Sequence, residues 1–358
     1  MPNRRSFIKQ VSALSLAAAL PQISFSSTKQ NLGVALVGLG DYSTNILALA
    51  LQMTQYCHLA GIVTGSPDKI PLWQEKYKIK ESNVYNYDNM HTIADNDAID
   101  VIYIVLPTGL HSQYSIIAAQ AGKHVWCEKP MARTVQECEA MIKACQKNKV
   151  KLAIGYRMQH EPNTQTIIKY AKTEPYGKIE EIVAEAGYFD GRSNRWQHNK
   201  EMGGGAMYDM GVYPLNAARY TAGVEPVAVL SAQHSTNRPE IYHEVDETTA
   251  FTLEFPGGAV GRCKTSMGEN MNYLRANCEK GWYELKPFQS YSGIKGKTSD
   301  GKVLNATIPN QQAKQMDDDA LAIIYQQPML VPGEEGLRDI RIVEAIYRSA
   351  AQNKRVAL

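Results

Sequence analysis

Residues 33 to 39 (Gly-Val-Ala-Leu-Val-Gly-Leu) form an almost unbroken apolar run, the pattern of a central parallel strand buried on both faces. Gly38-Leu39-Gly40-Asp41-Tyr42-Ser43 follows at once, and then Ile46, Leu47, Leu49 and Leu51 recur at helical spacing. Further apolar runs at 58 to 63, 98 to 105, 123 to 127 and 151 to 154 alternate with helical patterns, the clearest from Thr134 to Asn148. That alternation predicts about six β-α units, an α/β Rossmann domain with a parallel sheet, over residues 28 to 153.

Beyond Gly155 the texture changes. Segments 179 to 188, 226 to 235, 246 to 255, 258 to 266 and 280 to 286 read as strands, several of them alternating polar and apolar residues. Turn signals such as Pro256-Gly257-Gly258 separate them. Helices are expected near 162–173, 204–222 and 310–326. A final helix is expected from about Gly333 to Asn353, with Glu334 and Glu335 in its first turn as the helix dipole favours. The pattern predicts a second, α+β domain over 154 to 358 with an antiparallel or mixed sheet, its last helix free to pack back on the first domain.

Composition narrows the classes. An apolar fraction of 44% with 21% charged residues is that of an ordinary soluble globular chain, and 358 residues suffice for two cores. A net charge of +2 without a Lys/Arg run gives no case for nucleic acid. The six cysteines form no C-x-x-C pair and no zinc-like spacing, so no metal is expected. Residues 1 to 27 read differently. Arg4-Arg5-Ser6-Phe7-Ile8-Lys9 precedes a short, weakly apolar stretch from Val11 to Leu20, too short to span a bilayer. This is the pattern of a twin-arginine export signal, and it predicts a periplasmic or exported protein with no membrane anchor in its mature form. No free nucleotide pool is expected there, so an exported dehydrogenase needs to retain and recycle its cofactor.

Candidate chemistry gathers at the carboxyl ends of the predicted strands, where open α/β sheets bind ligands. Gly38-Leu39-Gly40-Asp41-Tyr42-Ser43 matches the dinucleotide fingerprint G-x-G-x-x-G except at Ser43. Its glycines allow a tight turn and close approach of a pyrophosphate to a helix N-terminus. After the second strand, Thr64-Gly65-Ser66-Pro67-Asp68-Lys69 carries hydroxyls and a cation where an NAD site has an acid, which favours NADP while leaving NAD possible. The alternative is a surface turn. Leu106-Pro107-Thr108 with His111, and Glu128-Lys129-Pro130, close the next two strands.

Gly203-Gly204-Gly205 precedes Asp209 and Tyr213, and three consecutive glycines suggest backbone brought close to a ligand. Asp209 and Tyr213 are four apart, which puts both on one face of a helix. Tyrosine serves as acid or base at a carbonyl if a cation lies beside it, and Lys129 is placed to supply that charge with Asp209 orienting the group. A helix-capping Asp and a packed Tyr is the alternative.

Taken together and in this order, these motifs resemble the Gfo/Idh/MocA family of sugar oxidoreductases, in particular its glucose–fructose oxidoreductase branch. Ile154-Gly155-Tyr156-Arg157 and Pro332-Gly333-Glu334-Glu335-Gly336 add to the match, which spans residues 33 to 350. The resemblance implies a Rossmann domain followed by a domain with a large, open, mostly antiparallel sheet. One face of that sheet makes a subunit interface in the family, implying a homodimer or homotetramer. It implies Lys129, Asp209 and Tyr213 as catalytic residues, Tyr213 as the acid/base, and a cis bond before Pro130. It places Thr64, Lys69 and Tyr87 around the adenosine end of NADP, and Arg157, Trp196 and Tyr291 along the cofactor or sugar cleft. The sequence departs from the branch in having Trp196-Gln197 where the branch pairs Trp with Arg, and in a short arm over residues 21 to 32. Both departures bear on cofactor retention.

The expected activity is hydride transfer between a retained NADP(H) and a sugar, with aldose oxidation coupled to keto-sugar reduction. A redox-assisted glycosidase or lyase of the same family is the alternative, since Lys129 and Tyr213 serve either reaction. A noncatalytic sensor fits poorly with a complete Lys129–Asp209–Tyr213 set.

Overall fold

The computed structural model describes residues 29–358; the proposed export signal lies outside them. The first sheet is built from β1 (Leu32–Val37), β2 (Cys57–Val63), β3 (Val84–Tyr85), β4 (Val101–Ile104), β5 (His124–Cys127) and β6 (Leu152–Ile154). Its order is β3-β2-β1-β4-β5-β6, and every pairing is parallel. All six positions of β1 are buried, as its unbroken apolar run requires. Strand order reverses direction between β1 and β4, so the crevice beyond their carboxyl ends is the topological switch point. Only the two-residue β3 escaped the sequence pattern.

The second sheet holds β7 (Ile179–Gly187), β8 (Ala228–Ser235), β9 (Thr248–Glu254), β10 (Val260–Ser266), β11 (Met271–Cys278), β12 (Gly281–Leu285), β13 (Gly296–Thr298), β14 (Val303–Leu304) and β15 (Val356–Ala357). Its order is β14-β13-β12-β11-β7-β10-β9-β8-β15. Only β7 and β10 run parallel; the remaining neighbours are antiparallel. Alternation gives the sheet two different faces. Ile182, Ala184 and Ala186 of β7 are buried on the face that carries the helix Val212–Ala222. Glu181, Val183 and Glu185 point the other way, where Arg262 pairs with Glu181 at 2.8 Å and the Arg275 guanidinium lies 4.1 Å from the Trp282 ring. β11 buries Leu274, Ala276 and Cys278 in alternation with Arg275 and Asn277, a strand signal that went unmarked in the sequence.

Two helices from the second half tie the domains together. The helix Gln311–Ile324 shares a core with the first sheet, its Ala313, Met316 and Ala320 packing with Leu36, Tyr103 and Trp126. Its Asp317 carboxylate accepts the backbone N–H groups of Gln55 and Tyr56, both at 2.9 Å. The last helix, Gly333–Gln352, lies against the helix Val135–Lys147, β6 and β8. It also anchors a buried charge network. Arg219 is 4% exposed and reaches Asp339 at 2.5 Å, Glu335 at 3.0 Å and Glu225 at 2.7 Å. Burial works against the Glu335 carboxylate, but Arg219 and Arg338 hold its pKa down to about 2. Burial wins at fully enclosed Asp339, pushed up to about 6 despite the same arginine.

All six cysteines are buried and free, consistent with packing roles.

Candidate active site

The glycine turn after β1 has two differently constrained positions. Gly38 has φ +91°, and a Cβ there would meet the Val105 carbonyl oxygen at 2.5 Å, so its need for glycine is internal. Gly40 has ordinary φ and nothing within 4 Å of where a Cβ would stand. That open side faces no protein atom, which fits a cradle kept clear for a dinucleotide pyrophosphate. Ser43, buried where the fingerprint has glycine, donates from Oγ to the Gly38 carbonyl at 2.5 Å and so closes the turn itself. Asp41 and Tyr42 are already helical, and the helix continues as a π-helix, Ser43–Leu47, into the short α-helix Ala48–Ala50.

Replacing Gly40 with valine is expected to leave folding stability within about 1 kcal/mol, because the added atoms meet no protein. Nucleotide affinity is expected to fall at least about a hundredfold, because they stand where the backbone must approach the ligand. Thermal unfolding of nucleotide-stripped protein and a fluorescence titration check the two halves separately. Normal affinity would contradict the assigned cradle.

At the end of β2, Thr64 is buried and its hydroxyl oxygen accepts the Ser66 N–H at 3.0 Å. A Cβ on Gly65 would stand 2.9 Å from the Tyr87 ring, so Gly65 lets Tyr87 close against this turn. Lys69 donates from Nζ to the Leu39 carbonyl at 2.8 Å, tying the second turn to the glycine turn. Its ammonium thus stands beside the glycine turn with two further hydrogens to donate.

The turn after β5 carries Glu128, Lys129 and a cis bond to Pro130. Lys129 is half-buried and donates from Nζ to the backbone carbonyl of Asp209 at 2.7 Å. Its ammonium lies 4.7 Å from the centre of the Tyr213 ring. Burial disfavours the lysine cation, but the charges of Tyr213, Asp209 and Glu128 outweigh it and hold the pKa above the ordinary lysine value. Lys129 is therefore a cation throughout the neutral range. Glu128 is buried, accepts the Tyr103 hydroxyl at 2.7 Å and the Lys129 N–H at 3.3 Å, and has its pKa raised by burial.

The glycine triplet answers to protein packing, which corrects the expectation of a ligand against it. A Cβ on Gly203 would strike the Thr108 side chain at 2.8 Å; one on Gly204 would strike the Gln197 carbonyl, and one on Gly205 the Asp246 carboxylate. Gly203 and Gly205 also have positive φ. Asp209 then lies in a π-helix, Met207–Gly211, and Tyr213 in the α-helix Val212–Ala222 that continues it. The wider π turn replaces the single regular helix expected over this stretch. It leaves the Asp209 carbonyl to Lys129, while the Asp209 carboxylate accepts the Tyr188 hydroxyl at 2.8 Å. Tyr188 was not foreseen. It stands one residue beyond β7, where only the sheet register brings it to Asp209.

Opposite Lys129, Arg157 is 2% exposed and fixed by the loop before Tyr291. Its guanidinium donates to the Gln289 carbonyl at 2.8 Å, the Ser290 carbonyl at 3.1 Å and the Gln311 side chain. It lies 4.6 Å from the Tyr291 ring centre and 5.8 Å from that of Tyr213. Tyr42 approaches Tyr291, with centroids 6.1 Å apart, and its hydroxyl accepts Gln312 at 3.3 Å. Lys129, Arg157 and the rings of Tyr42, Tyr213 and Tyr291 thus form one cationic and aromatic wall spanning both domains.

Other expected cofactor residues lie behind this wall. His111 is 1% exposed, and its ring nitrogens sit 2.8 Å from the Leu106 and Pro130 carbonyls. It straps together the turns after β4 and β5 and has no face left for a ligand, a correction to its expected direct role. Thr108, also 1% exposed, is covered by Gly203. Leu106 and Pro107 are half-buried at the crevice. Trp196 opens the short turn Trp196–His198 after β7, and among the described residues no hydrogen bond joins it to the Lys129 group.

Comparison with known proteins agrees with the two-domain fold. A family profile described as "Oxidoreductase family, NAD-binding Rossmann fold" (GFO/IDH/MocA) matches residues 32–156, and the GFO/IDH/MocA C-terminal domain matches 164–284. The D-xylose 1-dehydrogenase (NADP(+)) of Haloarcula marismortui is 27% identical over 350 residues, covering 93% of this chain and 95% of that protein. The structure of the aldose-aldose oxidoreductase from Caulobacter crescentus, complexed with glycerol, superposes with TM-score 0.88 at 38% identity, covering 92% of this chain and 100% of that one. Levoglucosan dehydrogenase, in complex with NADH and levoglucosan, shares the fold at TM-score 0.80 and 22% identity, over 92% of this chain and 99% of that one. The chain belongs to the Gfo/Idh/MocA family of oxidoreductases, with an NAD-binding Rossmann domain followed by that family's C-terminal domain.

Proposed function

We propose that this protein is a sugar oxidoreductase that retains NADP(H) and moves hydride between the nicotinamide and a sugar carbon, oxidising an aldose and then reducing a second sugar in the same site. The observation that carries this reading is the Lys129 ammonium, held by the Asp209 carbonyl at 2.7 Å and set 4.7 Å from the Tyr213 ring at the switch-point crevice. The similarity to an enzyme named aldose-aldose oxidoreductase supports paired sugars, and the similarity to an NADP(+)-linked xylose dehydrogenase supports NADP.

A bound nicotinamide supplies the hydride acceptor or donor. The chain's own residues manage the proton and the geometry. In reduction the Tyr213 hydroxyl gives its proton to the carbonyl oxygen and is left as a phenolate beside Lys129; in oxidation that phenolate takes the proton of the sugar hydroxyl, so the two half-reactions return each other's proton. Lys129 places a fixed positive charge where negative charge develops on those oxygens. The Tyr188–Asp209 bond holds the π turn that presents the Asp209 carbonyl to Lys129. Arg157 backs the aromatic wall and leaves the exposed Tyr291 ring facing the cleft mouth.

In this reading the twin-arginine pattern addresses the protein outside the inner membrane, and the helix-free face of the second sheet joins two or four copies. Retention of the nucleotide follows from that address. Protein purified without added nucleotide and then heat-denatured is expected to release a nicotinamide dinucleotide near one per chain, NADP in excess of NAD. Nucleotide-free protein would defeat the claim of retention.

A further inference from the structure

Behind the Glu128–Lys129 turn lies a line of buried polar side chains that the proton transfer above does not use. It begins at Asp319 on the helix Gln311–Ile324, 1% exposed, with no hydrogen-bond partner for either carboxylate oxygen among the described residues. Gln315 precedes it by one helical turn, on the same face of that helix. Gln315 Nε2 donates to the Tyr103 hydroxyl at 3.4 Å, and that hydroxyl donates to Glu128 Oε1 at 2.7 Å. Glu128 in turn accepts the Lys129 N–H at 3.3 Å. Gln315 is 2% and Tyr103 1% exposed, so bulk water does not replace a partner lost along this line.

The direction of each bond depends on the charge at Asp319. An amide has a donor end and an acceptor end, whereas a phenol has a single proton to give. With Asp319 ionised, the Gln315 N–H end turns toward the carboxylate and toward Tyr103, and the Tyr103 proton goes to Glu128. With Asp319 protonated, the amide does better with Oε1 turned inward. That oxygen accepts the acid proton and competes for the Tyr103 proton, and the buried Glu128 carboxylate loses its side-chain donor.

We propose that Asp319 is a positioning residue for the chemistry at Lys129, acting through the orientation of Gln315 and Tyr103 on the Glu128 carboxylate. The inference rests on the reading that Lys129 serves hydride transfer. Groups facing Asp319 come from three elements. His160 approaches from the turn Arg157–His160 with Nε2 unpartnered, and the Cys57 thiol approaches from β2. On its own helix lie Asp317, held by the backbone of Gln55 and Tyr56, and Asp318, 2.9 Å from His160 Nδ1 and paired with Lys314. Burial pushes Asp319 up to about 7, with His160 opposing and Asp318 adding, so its charge changes across the neutral range.

The test follows single-turnover hydride transfer in the full-length, nucleotide-loaded protein between about pH 6 and about pH 8, alongside its infrared difference spectrum. The wild-type rate is expected to fall up to about tenfold on acidification, as one group titrates near the middle of that span. The fall is expected to vanish in Asp319→Asn and also in Gln315→Met, which breaks the line and leaves the acid in place. A protonated-carboxyl band should appear on acidification in the wild type and in Gln315→Met, and be absent from Asp319→Asn. An acid fall that survives Gln315→Met, or one removed by His160→Gln and kept by Asp319→Asn, overturns the proposal. Failure of the Lys129 reading is separate: it shows as a normal rate in Lys129→Ala, whatever the pH profile.

Discussion

Replacing Lys129 with alanine is expected to lower the hydride-transfer rate by about a thousandfold or more, while nucleotide affinity changes by less than about tenfold. The large effect follows from what the ammonium touches. Among the described residues it is the one cation set both over the Tyr213 ring and on the Asp209 carbonyl, and its neighbours keep it charged at neutral pH. Removing it deprives the developing oxyanion of a fixed charge and leaves Glu128 without its nearest opposite charge. Nucleotide binding is expected to survive because the glycine turn and the Thr64–Tyr87 end belong to other strands. Stopped-flow single turnovers measure the rate, and a fluorescence titration the affinity. A variant turning over within tenfold of wild type would remove Lys129 from the chemistry.

Replacing Arg219 with methionine is expected to cost about 3–5 kcal/mol of folding stability near neutral pH. The guanidinium is almost fully buried and serves Asp339, Glu335 and Glu225 at once. Methionine keeps much of the volume and leaves Asp339, wholly enclosed, without its counter-charge. The deficit should depend on pH in a definite direction. Burial already raises Asp339 to about 6, and loss of the arginine raises it further. A carboxyl whose folded pKa lies above its unfolded value destabilises the folded state progressively as pH rises past the unfolded value. The part of the deficit due to Asp339 should therefore be small below about pH 6, where the carboxyl is protonated with or without the arginine, and grow as pH rises above it. Denaturant unfolding at several pH values tests this; a deficit independent of pH would mean that Asp339 does not need Arg219.

The sequence made the first domain legible because parallel strands buried on both faces read as apolar runs, as in β1 and β4. Their ends then located Gly38, Thr64, Pro107 and Lys129 without further information. The second domain was harder to read. β11 carries the alternation of a strand with one covered face, Leu274, Ala276 and Cys278 inward against Arg275 and Asn277, but Asn272, Arg275 and Asn277 dilute its apolar signal. Roles set by long-range contact were the least visible. Gly203, Gly204 and Gly205 looked like a ligand site, but they are demanded by Thr108 and Asp246, distant in sequence, and by the carbonyl of nearby Gln197. His111 looked like a binding residue because it follows a strand, yet it straps two turns from behind. Tyr188 and Asp319 carried no local signal. Their partners are fixed by sheet register and by a helix that returns to the first domain after β14.

The central claim is that one site passes hydride from sugar to sugar through a nicotinamide that stays bound. Protein purified without added nucleotide, with no nucleotide in solution, should be mixed with a ketose or aldose acceptor while reduced-nicotinamide fluorescence is recorded. Loss of fluorescence on adding the acceptor, and its return on adding an oxidisable aldose, repeated over several cycles, is the predicted result. A signal that requires added NADP(H), or that the second sugar fails to restore, would contradict it.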